Sequence, residues 1–286
     1  MKRAASLRHR KFREREGAFL VEGADLVAAG LAAGRRPQVV FVRAERAGEL
    51  SARLGLSAEG GPAAAVYPVA ERVAERIGTL ETPADVMAVF PLPERLALAT
   101  LPGAGGAPGE DAPRGAAGEV LVVFADGIGD PGNMGTLLRA AVAFGATALA
   151  TAPGSADLYG PKTVRAGMGA VFALPLFPEV RLADVLAALP GAAVYGLAAH
   201  EGLPLAAAAL RRPAVLVVGG ERPGLSREAL AHVTQLITIP LAPGLLGGAE
   251  SLNAGVAGAI ALYEFTRRPA GGADDPPGVR PAPQEG

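Results

Sequence analysis

Apolar positions follow two regimes along the chain. From about residue 17 to 100, stretches with helical spacing (18–34, AFLVEGADLVAAGLAAG; 70–78, AERVAERIG) alternate with the short apolar runs QVVFV and MAVF, which predicts a small α/β domain over 1–100. From 119 to 268, the runs Val120–Phe124, Ala148–Thr151, Val194–Ala198, Val215–Val218 and Leu236–Ile239 are separated by helical stretches. Strands this continuously apolar are covered on both faces, so the second part is expected to be a mostly parallel sheet flanked by helices. Ligands of such sheets bind beyond the C-terminal strand ends, which directs attention to the loops 126–135, 219–226 and 240–253. Between the two parts, residues 101–118 are Gly, Ala and Pro without periodicity, the composition of a flexible linker with few contacts across it. The tail 269–286 has the same character and reads as disordered.

Composition narrows the chemistry. The chain has no cysteine, which removes disulfides, thiolate metal sites and a cysteine nucleophile, and its three histidines (His9, His200, His232) are scattered, so no metal site is expected. No apolar run reaches the roughly 18 to 20 residues of a membrane span, and the basic N-terminus lacks the apolar core of a secretory signal; a cytoplasmic location without membrane contact is the expectation. The net charge of −1 conceals a local excess, because Lys2, Arg3, Arg8, Arg10, Lys11, Arg13 and Arg15 face only Glu14 and Glu16 in the first sixteen residues. Phosphate binding needs a local patch and not a basic whole, so Arg8, Arg10, Lys11 and Arg13 are candidate RNA contacts; a merely solvated terminus fits the charge equally well.

The loop after the first strand of the second part contains Gly127, Gly129 and Gly132, formally the G-x-G-x-x-G of a dinucleotide site. The second strand of that unit ends ATAPGS without the acid that would hold a ribose, Pro131 interrupts the turn, and the helix is expected to start near Asn133, capped by its side chain. More specific are three later strings: NMGTLLR with Asn133, Gly135 and Arg139; VVGGERPGLS with Gly219 and Glu221; and ITIPLAPGLLGGAESLN, ending in Ser251, Leu252 and Asn253 ahead of a long helix rich in small residues.

These strings, in this order, resemble the three signature motifs of the SpoU (TrmH) family of RNA ribose 2′-O-methyltransferases. GPKTVRAGMGAVFALPLF between the first two, and HRKFREREGAFLVEGADLVAAGL near the N-terminus, extend the likeness; the latter resembles the L30e-like substrate-binding domain of family members. The resemblance implies a trefoil knot in the C-terminal domain, S-adenosylmethionine as methyl donor and a homodimer formed through the catalytic domain. It implies structured RNA as substrate, with ribosomal RNA favoured over tRNA because of the L30e-like domain. Carried over residue by residue, it assigns Arg139, Asn133, Glu221, Ser251 and Asn253 to catalysis, with Asn133 bonding backbone or Arg139, Glu221 pairing with Arg139 or contacting the ribose, and Ser251 and Asn253 meeting the methionine carboxylate or the ribose; Gly219, Ile239, Leu241 and Leu252 fall to the donor. A guanidinium is effectively always protonated, so Arg139 is better suited to orienting the hydroxyl or its phosphate than to acting as a base. The segment Ala242–Glu250 is longer than the family pattern, and Ala254 and Gly255 follow Asn253 where the family favours Val and a small polar residue. Two other classes stay open: a non-catalytic RNA-binding or ribosome-assembly factor on the same fold, and a nucleotide-dependent Rossmann enzyme.

Overall fold

Two sheets organise the chain. The computed structural model describes residues 1–56, 65–104, 120–242 and 251–267. In the N-terminal part, α1 (Lys2–Ser6) and α2 (Arg10–Glu16) lead into β1 (Ala18–Glu22), α3 (Ala24–Ala32), β2 (Val39–Arg43), α4 (Ala47–Arg53), β3 (Ala65–Val69), α5 (Glu71–Ile77) and β4 (Val86–Pro91). The sheet order is β1-β4-β2-β3, antiparallel around β4 and parallel between β2 and β3. Alternate residues of β1 serve opposite faces: Ala18 and Leu20 pack with Leu7, Ala74 and Ile77 of the α1–α5 side, whereas Phe19 and Val21 face α3 and the second part of the chain.

The C-terminal part runs β5 (Leu121–Asp126), α6 (Pro131–Ala143), β6 (Ala148–Thr151), α7 (Pro161–Ala166), β7 (Leu176–Phe177), α8 (Leu182–Ala188), β8 (Ala193–Ala198), β9 (Leu203–Pro204), β10 (Ala214–Gly219), α9 (Arg227–Leu230), β11 (Gln235–Thr238) and α10 (Ala254–Arg267). Its seven strands are all parallel in the order β7-β6-β5-β10-β8-β11-β9. Each of the five apolar runs read from the sequence is a strand. Both faces are covered as expected: Val123 and Val218 pack under α6 and α10, and Val122 and Val217 pack under α8 and α9. Late strands re-enter the sheet, β10 between β5 and β8 and β11 between β8 and β9. This non-consecutive order brings the ends of β5 and β10 side by side in the middle of the sheet's C-terminal rim. The expected knot turns on the passage of 240–253, and residues 243–250 of the long third loop lie outside the described residues, as do the tail from 268 and most of the linker.

Three expectations need correction. Residues 18–22 are a strand and not the start of a helix; all five are buried, and Gly23 at φ +114° breaks the chain before α3. The linker does not begin at 101, because Leu101 and Ala104 are buried beside Val120 and Leu189, with Gly103 at φ +88° letting the turn close on Val120. Nor are contacts between the two parts few. Phe19 lies 5.1 Å from Tyr159 and 5.8 Å from Phe172, ring centre to ring centre, and Phe90 lies 5.0 Å from Phe172. One continuous apolar cluster joins β1, β2 and β4 to α6, α7 and α10. The separable look of the two parts in sequence arises because these contacts are made by residues distant in the chain.

Candidate functional site

β5 ends in Asp126, a buried carboxylate that fixes the first loop to the second. Its Oδ2 accepts the Ser226 N–H at 2.6 Å, and its carbonyl accepts the Gly220 N–H at 3.1 Å. The approach is so close that a Cβ on Gly220 would stand 2.6 Å from the Gly127 carbonyl oxygen. α6 then opens with Asp130 as its cap, accepting the Asn133 N–H at 2.9 Å, and with Pro131 at the first helical position, where its fixed φ suits the helix. Lys162 donates to the other Asp130 oxygen at 3.0 Å, and this pairing holds the carboxyl below its ordinary range. The helix therefore starts two residues earlier than expected, and capping falls to Asp130, leaving the Asn133 side chain free for other work.

That side chain joins the three motif strings. Asn133 Nδ2 donates to Glu221 Oε1 in the loop after β10, and Asn133 Oδ1 accepts from Asn253 Nδ2 at 2.5 Å. Because a carboxylate only accepts, the amide of Asn133 must turn its nitrogen to Glu221, and its oxygen then faces Asn253. Asn253 Oδ1 in turn accepts the Val256 N–H at 3.1 Å, capping α10. α6 and α10 run side by side with their N-termini at the same end. Glycine permits the contact: a Cβ on Gly255 would lie 2.9 Å from the Asn133 carbonyl, and one on Gly258 would lie 2.4 Å from Leu137 Cδ1. Two helix N-termini thus converge on the Glu221–Asn133–Asn253 chain and favour negative charge there.

The remaining candidates stand around this chain. Arg139 is exposed on α6 and has no hydrogen-bond or ion-pair partner among the described residues. Six residues beyond Asn133, it lies about 9 Å further along the helix and roughly 120° around it, so it is outside the hydrogen-bonded chain. Ser251 and Leu252 are exposed just before α10, Leu252 at 36%. Ile239 and Leu241 are half-buried beyond the end of β11. Gly219 is buried, and its glycine has a local cause: a Cβ there would lie 2.3 Å from the carbonyl carbon and oxygen of Gly224, where the following turn folds back.

The basic N-terminal residues are placed unequally. Arg13 is 4% exposed, donating to the Leu7 carbonyl at 2.6 Å and to Asp157 of the C-terminal part, so it is a contact between the two parts and not a surface cation. Its burial corrects the expectation of a phosphate contact. Arg10 pairs with Glu179 at 2.6 Å and Glu14 at 2.8 Å, which push its pKa upward in that order. Arg8 donates to the carbonyls of Ala5 and Arg76, and the Lys11 ammonium sits 5.0 Å from the Phe12 ring centre. Asp126, Asp130 and Lys162 were not singled out from the sequence. An acid followed by proline, as in Asp130–Pro131, is a helix-start signal that would have located the cap. Among the described residues no group of three or more potential ligands could hold a metal ion, and no helix is long and apolar enough to cross a membrane.

Comparison with known proteins places this geometry in context. Residues 120–263 match the SpoU rRNA Methylase family, and residues 1–88 match the MRM3-like substrate binding domain. The mitochondrial rRNA methyltransferase 3A of Danio rerio is 29% identical over 91% of this chain, which spans 66% of that protein. The 23S rRNA (guanosine(2553)-2′-O)-methyltransferase RlmP of Bacillus subtilis (strain 168) is 30% identical over 91% of this chain and 92% of its own length. The structure of the SpoU methyltransferase AviRb from Streptomyces viridochromogenes in complex with the cofactor AdoMet aligns with a TM-score of 0.77 at 26% identity, covering 93% of this chain and 96% of that one.

Proposed function

This chain belongs to the SpoU rRNA methylase family, and we propose that the S-adenosylmethionine-dependent RNA ribose 2′-O-methylation it performs is carried out by Arg139, Asn133, Glu221, Ser251 and Asn253, with ribosomal RNA as substrate. The observation that carries the site is the Asn133 amide, which ties Glu221 to Asn253 and so unites three segments that are far apart in the chain.

The donor would supply a methyl group on a sulfonium: the new O–CH3 bond forms as the S–CH3 bond breaks to leave a neutral thioether, and the hydroxyl proton passes to water, so transfer needs alignment more than covalent help. Glu221, held by Asn133, contacts the ribose, and Ser251 and Asn253 present a hydroxyl and an amide at the start of α10. Arg139, exposed and unpaired among the described residues, orients the 2′-hydroxyl or the adjacent phosphate through its permanent charge. The residues present fit the donor: Ile239, Leu241 and Leu252 offer apolar cover for its adenine, the loop after Gly219 offers backbone groups, and the converging helix N-termini suit its carboxylate.

RNA recognition falls to the N-terminal part through Arg8, Arg10 and Lys11, the exposed members of the four candidate contacts. Ribosomal RNA is supported by the relatives, a mitochondrial rRNA methyltransferase and a 23S rRNA methyltransferase among them. A homodimer is supported by α10, which leaves Val256, Ile260 and Tyr263 exposed along one face. The C-terminal knot and a cytoplasmic location belong to the same reading. Mapping ribose 2′-O-methyl sites in ribosomal RNA from cells with and without the gene tests it. One site lost with the gene is expected; unchanged rRNA methylation alongside a lost tRNA site would overturn the substrate.

A further inference from the structure

At the end of β1 the Glu22 side chain is 1% exposed, and its carboxylate is fully engaged. It accepts the Thr79 N–H at 2.8 Å, the Thr79 hydroxyl at 2.5 Å and Arg165 Nη1 at 3.1 Å; Arg165 Nη1 also meets Thr79 Oγ1 at 2.6 Å. Glu22 and Thr79 belong to the N-terminal part, whereas Arg165 belongs to α7. A buried carboxylate is tolerated only when paired and hydrogen-bonded, so Arg165 is held in one place by the group it neutralises. Just beyond α7 the chain is pinned again, since Gly169, at φ +86°, comes so close to α3 that a Cβ on it would lie 2.6 Å from Ala29 Cβ.

α7 has little freedom towards α6 either. A Cβ on Gly135 would lie 2.5 Å from Ala166 Cβ, 2.7 Å from the Thr163 carbonyl and 2.9 Å from the Gly167 nitrogen. Gly135 stands two residues after Asn133 and about one turn before Arg139. Packing this close transmits a displacement instead of absorbing it.

We infer that Glu22, a residue of the substrate domain, is a positioning residue for methyl transfer: through Arg165 it fixes α7, and through the contact at Gly135 it fixes the helix that carries Asn133 and Arg139. The inference rests on the assignment of α6 to the reacting ribose. The substrate domain then acts twice, binding RNA on its outer surface and holding the acceptor site in shape from its inner one. A role confined to stability would lower the melting temperature and leave turnover of the folded enzyme unchanged.

The test uses the full chain, with Glu22→Gln, Arg165→Met, Arg165→Lys and the double variant Glu22→Gln/Arg165→Met, each assayed well below its melting temperature. Expected is a fall in kcat of tenfold or more for Glu22→Gln and Arg165→Met, with the KM for rRNA and the Kd for S-adenosylmethionine within twofold of wild type. The double variant should be no worse than the worse single one, and Arg165→Lys should recover at least half of the activity. Amide exchange over 131–143 should quicken in the impaired variants. A kcat within twofold of wild type in folded Glu22→Gln and Arg165→Met, a loss confined to the KM for rRNA, or multiplicative effects in the double variant would each overturn the inference. If wild type itself transfers no methyl group, the functional reading fails, and unchanged exchange over 131–143 then refutes the coupling on its own.

Discussion

Asn253 donates its side-chain amide to Asn133 Oδ1 at 2.5 Å while its own oxygen caps α10. One residue thus starts a helix and completes a polar chain that ends on Glu221, and the two jobs use different atoms.

Substitution should separate those jobs. Asn253→Asp keeps an oxygen for the cap and loses the donor to Asn133, so stability should stay within about 0.5 kcal/mol of wild type while methyl transfer falls at least tenfold. Asn253→Ala loses the cap as well, which costs about 1 kcal/mol more. Thermal melts and turnover on the same preparations check this; equal turnover for wild type and Asn253→Asp would remove Asn133–Asn253 from the site.

Glycines in the first two loops should behave in opposite ways. Gly219→Ala places a Cβ against the Gly224 backbone, where nothing can yield cheaply, so a destabilisation on the order of 1–3 kcal/mol is expected together with weaker donor binding. Gly129→Ala meets nothing within 4 Å, so stability and donor affinity should not change. If this loop gripped a dinucleotide through its glycines, Gly129→Ala would be the damaging change, and calorimetry with S-adenosylmethionine and NAD distinguishes the cases.

The Asp130 cap gives a pH signature. Lys162 lowers the folded-state pKa of Asp130 below its unfolded value near 3.8, so the cap's contribution is present above that pH and is lost as pH falls through the lower, folded value. Asp130→Ala should therefore cost about 1 kcal/mol at pH 7, and the difference from wild type should close under strongly acidic conditions. Paired denaturation curves from pH 7 downward through the acid range provide the check.

A chain beginning at Gly118 is expected to fare badly, contrary to the domain separation that composition suggests. It would uncover Tyr159 and Phe172 where Phe19 and Phe90 now cover them, and leave Asp157 and Arg165 without Arg13 and Glu22. A lower melting temperature or aggregation should result. A soluble fragment melting with the full chain would show that the interface contributes nothing.

What the sequence made legible and what it hid have physical causes. The five strands of the second part were readable because residues buried on both faces must be apolar throughout, as in AVLVVG of β10. Residues 18–22 misled because AFLVE runs into a true helix, and only the left-handed Gly23 marks the break. Motif residues could be named individually, yet their meeting depends on β10 re-entering the sheet beside β5, which no local pattern encodes. Arg13 looked like its basic neighbours because charge does not reveal a partner; Asp157 lies 144 residues away.

The most direct measurement is transfer of a labelled methyl group from S-adenosylmethionine to ribosomal RNA by the wild-type chain and by Arg139→Ala. Arg139 is exposed and without a partner among the described residues, so its loss should alter stability by no more than about 0.5 kcal/mol and leave donor affinity unchanged. The account expects label on a ribose 2′-oxygen with wild type and at least a hundredfold less with Arg139→Ala. Near wild-type transfer by the folded variant, or no transfer by either, would contradict it.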